Sequence, residues 1–393
     1  MATRREILDA AMDAVADGGA MTFRTFMELA LYHPEGGYYT RPTMRVGAGG
    51  DFHTSPTIHE AFGQCLARQL VQLWERLGKP EDLCLLEMGA GSGQLADQIL
   101  NELAAMRGRW KHVRFAILER SAALRERQQA LLAPHGDAVQ WVDSLSALAP
   151  EGKWEGIILS NELFDAFPVH RVIGLKEGFA EIGVMRGENG RWRQVGVEPT
   201  TPRLEETLSR LGITLQEGQQ AEINLDAQDW METLGSWLGR GFVLTVDYGS
   251  EAERVYAPHR HKGTIRGFFK QMAIDDPLSH PGEQDLTSDV DFTSLIAAGE
   301  KVGLRTLGVV PQGLFLKHLG IEEIEKKLLK GLKNALAVDF AAYEIRKLYQ
   351  PDAMGERFLV LIQAKGVDTK PADVAGLGGK PLASGWRKLL SWR

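Results

Sequence analysis

Cysteine is nearly missing from this chain: Cys65 and Cys84 are the only two in 393 residues. Two thiols cannot staple a disulfide framework or fill a four-thiolate metal site, which excludes a disulfide-built secreted domain and fits a reducing compartment. Long apolar runs are missing as well. None reaches the roughly 20 residues that cross a bilayer, and the first residues lack the apolar stretch of a signal peptide. The expectation is a cytoplasmic protein without a transmembrane segment. Positive charge is not in excess. With 45 Lys and Arg against 52 Asp and Glu the net charge is −7, which leaves no global drive toward nucleic acid or an anionic membrane. His259 and His261 have no Cys or carboxylate at a recognisable ligand spacing, so no metal is expected.

Hydrophobic residues make up 44% and charged residues 25%, the composition of a globular chain that folds by packing. The length allows two or three ordinary domains, or one large α/β core with insertions. Ile7, Leu8, Ala11 and Val15 mark a short amphipathic helix. Phe62, Cys65, Leu66, Leu70, Leu73, Trp74 and Leu77 mark a longer one, with Cys65 on its buried stripe. Continuous apolar runs follow at 83–88, 113–118, 139–142, 157–159 and 242–246. Such runs fit strands covered on both faces, hence a doubly wound parallel sheet with crossover helices. Residues 179–197 alternate around Glu188, Asn189 and Gly190, a hairpin signal that a parallel core does not require. Ile321, Ile324, Leu328, Leu329, Leu332 and Leu336 predict one more amphipathic helix, and 358–362 a last strand.

The expected organisation is an N-terminal cap over 1–60 and a first core part over 61–171. An insertion with a hairpin and two helices follows over 172–240, then core completion with a helical cleft segment over 241–366 and a tail over 367–393. The tail joins Trp386, Leu389, Leu390 and Trp392 with Arg387 and Lys388, and is read as a frayed terminus. The basic stretch holding Arg254, His259, Arg260, His261, Lys262 and Arg266 is read as solvated loop, with docking to an acidic partner as the other reading.

The most specific signal is an apolar strand running through Glu87 into Gly89, Ala90, Gly91, Ser92 and Gly93 and then into a helix. Glycines there let the backbone turn sharply and approach a ligand with no Cβ in the way. The spacing is G-x-G-x-G, not the G-x-G-x-x-G of a dinucleotide site, and no Walker lysine follows. The second strand ends in Glu119, 26 residues beyond Gly93, where such folds hydrogen-bond a ribose diol. The third places Asp143 and Ser144 beside an adenine edge, so an adenosine-bearing ligand is expected. After the fourth come Ser160, Asn161, Glu162 and Asp165. These read either as acids addressing an acceptor at the carboxyl edge of the sheet, or as a helix start with Ser160 or Asn161 as N-cap.

This pattern resembles class I S-adenosylmethionine-dependent methyltransferases. More narrowly, residues 22–366 resemble the MidA-like family, whose mitochondrial member is a complex I assembly factor that methylates a protein arginine. The resemblance is carried by blocks in one order: Leu29-Ala-Leu-Tyr-His-Pro-Glu-Gly-Gly-Tyr-Tyr39, Gly50-Asp-Phe-His-Thr-Ser-Pro56, Phe62-Gly63 and the loop 87–93. They continue with Glu119-Arg-Ser121, Ser160-Asn-Glu-Leu-Phe-Asp-Ala-Phe-Pro168, Asp247-Tyr-Gly249, Gly263-Thr-Ile-Arg266, Gln284-Asp-Leu-Thr287 and Val290-Asp-Phe292. The resemblance implies a Rossmann-like class I methyltransferase sheet and S-adenosyl-L-methionine as cofactor, with S-adenosyl-L-homocysteine as product. It places Glu87, Gly89, Gly91, Glu119 and Asp143 along the cofactor, with Gly50, Asp51 and Thr54 closing over it.

Glu162, Asp165 and Asn161 are expected to orient the acceptor, and the same resemblance puts Gln284 and Asp285 near it. The acceptor implied is an arginine of a protein partner, such as a respiratory complex I subunit or its bacterial equivalent, in the mitochondrial matrix if the source is eukaryotic. Two other readings stay open: a cofactor-binding assembly chaperone with little catalysis, and a small-molecule methyltransferase. The oligomeric state is open, a homodimer included.

Overall fold

A computed structural model of the chain describes residues 2–41, 54–106, 112–270 and 272–378. Gly50, Asp51 and the basic tryptophan-bearing tail lie outside the described residues.

The apolar runs form the main sheet. Its principal strands are β1 (Asp82–Met88), β2 (His112–Leu118), β3 (Val139–Val142), β4 (Trp154–Asn161), β5 (Leu238–Ser250), β6 (Arg305–Pro311) and β7 (Phe358–Lys365). They lie in the order β6-β7-β5-β4-β1-β2-β3, and the short strand Val290–Asp291 pairs with the end of β5. From β3 to β5 every pairing is parallel, while β7 runs antiparallel to both β5 and β6. The sheet is apolar on both faces because both are covered. Helices Ala61–Arg76 and Gln94–Ala105 bury Phe62, Cys65, Leu66, Leu70 and Ile99 on one face. Helices Leu225–Trp237 and Phe292–Lys301 bury Met231, Leu234, Leu295 and Ile296 on the other. Each such side chain contributes about 1.5–3 kcal/mol of burial.

Beside this core, Met21–Thr22, Phe179–Arg186, His170–Gly174, Gln220–Ile223 and Trp192–Val197 form a second, antiparallel sheet. The predicted hairpin is its pair Phe179–Arg186 and Trp192–Val197, with Gly190 at φ +74° in the turn. Helices Arg4–Ala16 and Phe23–Tyr32 pack on this sheet through Leu8, Met12, Phe23, Phe26 and Met27. A third small sheet joins Met272–Ile274, Arg266–Phe269 and Asp285–Thr287.

The stretch 172–240 holds a hairpin and two helices, Arg203–Leu211 and Leu225–Trp237, and adds the strand Gln220–Ile223 to a sheet shared with the N-terminal segment. Its second helix turns Met231 and Leu234 onto the main sheet. One expectation changes. The helix predicted over 321–336 breaks at Gly331 into Ile321–Lys330 and Ala335–Lys347, and Leu336 is exposed. Strand β6 was not anticipated, because Gly308 and a shift of register beside it interrupt the apolar pattern. Among the described residues no helix is long and apolar enough to cross a membrane.

Candidate active site

Strands β1 and β2 end side by side, and the glycine loop leaves β1 at that edge. Gly89, Gly91 and Gly93 have φ of +66°, +52° and +82°, values that favour glycine. A Cβ on Gly89 would meet Leu163 Cδ1 at 2.7 Å, whereas one on Gly91 would have no protein atom within 4 Å. The loop therefore keeps its open side toward the cleft. Glu87 is buried at the end of β1, and its Oε2 is a buried oxygen with no hydrogen-bond partner. Burial, reinforced by nearby Glu119, pushes its carboxyl up to about 8. Glu119 is also buried and raised by burial; its Oε1 accepts from the Ser121 N–H at 2.8 Å and its Oε2 from Gln128 Nε2 at 2.9 Å.

Gln128 escaped the sequence reading, yet it binds this end of the site together. Its Nε2 also donates to the Gly91 carbonyl at 3.0 Å, and its Oε1 accepts from Trp141 Nε1 at 3.0 Å. The available signal was its spacing: Leu124, Gln128 and Leu132 are the buried residues of helix Ala122–Leu132, four apart on one stripe. A polar residue on a buried stripe needs partners. Ala90, Thr54, Asp143 and Ser144 line the same cleft. The Asp143 side chain is 86% exposed and ion-paired with Arg125, which puts it at the rim.

The segment after β4 departs from the helix start that was one of its two readings. Ser160 and Asn161 close the strand, Glu162 takes φ +52°, and only the 3-10 turn Phe164–Ala166 follows. Pro168 explains this, since the residue before a proline is steered out of helical geometry; Phe167 sits at φ −68°, ψ 140°. The turn is held from β5, where Asp247 Oδ2 accepts from the Leu163 and Phe164 N–H groups at 3.1 and 2.9 Å.

This turn buries Asp165 and half-buries Glu162. Glu162 Oε1 accepts from the Ser55 N–H and from Asn161 Nδ2, each at 3.1 Å. Asn161 Oδ1, Asp165 Oδ1 and the Ser160 hydroxyl oxygen are buried without a partner. Burial first and Asp165 second push the Glu162 carboxyl up to about 8. Burial also raises Asp165, while the Tyr248 hydroxyl and the Arg266 guanidinium pull it back down. Two further groups missed in the sequence complete the wall: Tyr39 donates its hydroxyl to Asp285 Oδ1 at 2.8 Å, and Tyr32 stacks on Tyr39 at 5.5 Å and donates to the Ala166 carbonyl at 2.9 Å. Asp285 comes from the third sheet, and only the family resemblance, not the local pattern, points to it. Glycine loop, Glu119, Glu162, Asp165 and Asp285 all line one cleft of about 2280 Å³. Among the described residues no group of three or more His, Cys, Asp or Glu is placed to hold a metal ion. The basic stretch is mostly engaged: Arg260 and Arg266 both pair with Asp289, and Arg254 with Glu251.

A glycine loop and carboxylates at the carboxyl edge of a parallel sheet, joined in one cleft to a second acidic end, define a group-transfer geometry. Residues 65–310 match the family described as "Putative S-adenosyl-L-methionine-dependent methyltransferase". The chain belongs to that methyltransferase family. Relatives extend well beyond the matched region. The mitochondrial protein arginine methyltransferase NDUFAF7 of Danio rerio is 31% identical over 376 residues, covering 86% of this chain and 82% of the relative. The Drosophila melanogaster homologue is 28% identical, covering 89% and 82%. The solved structure of a COG1565 superfamily member from Burkholderia thailandensis, bound to S-adenosyl-homocysteine, superposes with a TM-score of 0.85 at 29% identity, covering 97% of this chain and 96% of that one. This methyltransferase family thus accounts for the sheet order and for the added second sheet alike.

Proposed function

We propose that this chain transfers a methyl group from S-adenosyl-L-methionine to the guanidinium of an arginine in a protein partner. The observation that carries the reading is the acidic end of the cleft, where Glu162, Asp165 and Asp285 face the same space as the glycine loop. Fit to the cofactor rests on three features. The unpartnered Glu87 Oε2 offers an acceptor at the loop, the space beside Gly91 is open, and Glu119 presents a buried carboxylate at the end of β2. Gly89, Ala90, Gly91 and Gly93 would hold the amino-acid end, Glu119 the ribose, and Asp143 with Ser144 the adenine edge; Asp51 and Thr54 belong to the segment proposed to close over them. The cofactor supplies an electrophilic methyl group on a sulfonium.

The protein's own groups supply the rest. A guanidinium stays protonated because its pKa exceeds about 12, and its lone pairs are delocalised, so it attacks poorly. Asp165 and Asp285 fix the planar fork by charge-assisted hydrogen bonds between the rings of Tyr32, Tyr39 and Tyr248. Asn161 Oδ1 accepts one further N–H. In its ionised form Glu162 takes the proton that the nitrogen sheds on methylation; a carboxyl displaced to about 8 ionises only near and above that pH, and is then a stronger base than an ordinary carboxylate.

The arginine assignment is supported by the names of the relatives, and the family resemblance adds a respiratory complex I subunit or its bacterial equivalent as the partner class. Incubating a cell lysate with the protein and tritiated S-adenosylmethionine, then hydrolysing the protein fraction, tests the proposal. Label is expected in methylarginine; label confined to another amino acid or to small molecules overturns it.

A further inference from the structure

The acceptor end is tied to the second sheet by a chain of polar contacts, buried at Arg171, Glu222 and Thr264, that the mechanism above does not use. Arg171, 2% exposed, donates from Nε to Glu222 Oε1 at 2.9 Å and from Nη2 to Gln220 Oε1 at 2.7 Å. Glu222 Oε2 accepts from the Thr264 N–H at 2.5 Å and from the Thr264 hydroxyl at 3.0 Å. The direction of this relay is fixed. The Asp289 N–H, 3.1 Å from Thr264 Oγ1, can only donate, so the hydroxyl accepts there and spends its single hydrogen on Glu222. Gly263 lets the carboxylate come this close: its φ is +73°, and a Cβ there would lie 2.4 Å from Glu222 Oε2. Asp289 in turn pairs with Arg260 at 2.6 Å and with Arg266, whose guanidinium sits 5.0 Å from the Tyr248 ring centroid.

We propose that Thr264 is a positioning residue for the acceptor end of the cleft: its hydroxyl, locked between Glu222 and the Asp289 backbone, fixes the Asp289 carboxylate and through it holds Arg266 over Tyr248 and beside Asp165. The proposal rests on the reading of Asp165 as an acid that orients the acceptor. The groups facing Asp165 are Glu162 from its own turn, Asp247 and Tyr248 from β5, Arg266 and Asp285 from the third sheet, and Tyr32 and Tyr39 from the N-terminal segment. Arg266 is the cation among them. Loosening it removes the charge that favours an ionised Asp165, and the acid then holds its proton to higher pH.

Thr264→Val keeps the shape and deletes the hydroxyl; Thr264→Ser restores it. Infrared titration reads Asp165 without any acceptor, its protonated-carboxyl band being assigned by its loss in Asp165→Asn. In Thr264→Val the band is expected to titrate higher by about half a pH unit or more, with S-adenosylhomocysteine affinity within about twofold of the parent, and Thr264→Ser is expected to restore the parent value. Turnover to methylarginine is expected to fall about tenfold or more with the cofactor KM unchanged, the mark of misplacement rather than lost binding. A folded Thr264→Val protein whose Asp165 band titrates as in the parent overturns the proposal. Should that variant not fold, Asp289→Asn loosens Arg266 at constant size and must produce the same upward shift; an unmoved band there overturns it equally. Absence of methylarginine from the parent protein counts against the proposed function alone, because the infrared titration still decides the relay.

Discussion

Glu119 accepts two hydrogen bonds within the protein and faces the cleft, so its carboxylate is held in place before any ligand arrives. A charged hydrogen-bonding contact of this kind is worth about 1.5–3 kcal/mol, and Glu119→Ala should weaken S-adenosylmethionine binding by roughly one to two decades in calorimetry. Unchanged affinity would remove Glu119 from the site. Gly91→Val should fold, because no protein atom stands within 4 Å of the new Cβ, yet lose cofactor binding because a β-branched residue resists φ +52° and fills the open side of the loop; a thermal shift on adding S-adenosylhomocysteine equal to the parent's would contradict this. At this scale the sequence made the shared strand edge of Glu87, the three glycines and Glu119 legible, since strand-loop spacing alone brings them together. The resemblance put Asp285 near the acceptor, but its bond to Tyr39 was not legible, because 246 positions separate the two and only the packing of the third sheet against the N-terminal segment joins them.

Helix Ala122–Leu132 works as a strut, and Gln128 is the point where it bears on both β2 and the glycine loop. Gln128→Ala leaves the Gly91 carbonyl and the Trp141 N–H without their partner, an expected loss of about 1–3 kcal/mol in denaturant unfolding together with weaker cofactor binding. A variant with parent stability and parent affinity would show that water replaces the amide fully. The main strands were legible as elements because continuous apolar runs report burial on both faces. The helix start considered at Ser160 was not the outcome, since Pro168 and the Asp247 carboxylate together favour a turn that local cap residues do not reveal. Strand β6 and the second sheet were hidden for related reasons: a glycine interruption in one, and pairing with a distant N-terminal segment in the other.

Across the whole molecule, the cleft concentrates carboxyl groups whose burial raises them together, and this imposes a pH dependence on stability. Glu87 and Glu162 stand at about 8 in the folded chain against an ordinary 4.5. Between those values the unfolded chain has released protons that the folded chain still binds, so stability falls as pH rises from about 5 to about 8. Melting curves across that range should show the decline, and Glu87→Gln combined with Glu162→Gln should flatten it; a stability that climbs over the same interval would contradict the burial of these acids. The central claim is that the acids of the β4 turn act on the acceptor and do not merely shape the backbone. Single-turnover methyl transfer from tritiated S-adenosylmethionine, measured with Glu162→Gln and Asp165→Asn beside the parent, tests it most directly. Both variants are predicted to fold with a melting temperature no lower than the parent's and to keep S-adenosylhomocysteine affinity while transferring methyl at least ~100-fold more slowly, the size of lost acid–base assistance; near-parental transfer in both would contradict the account.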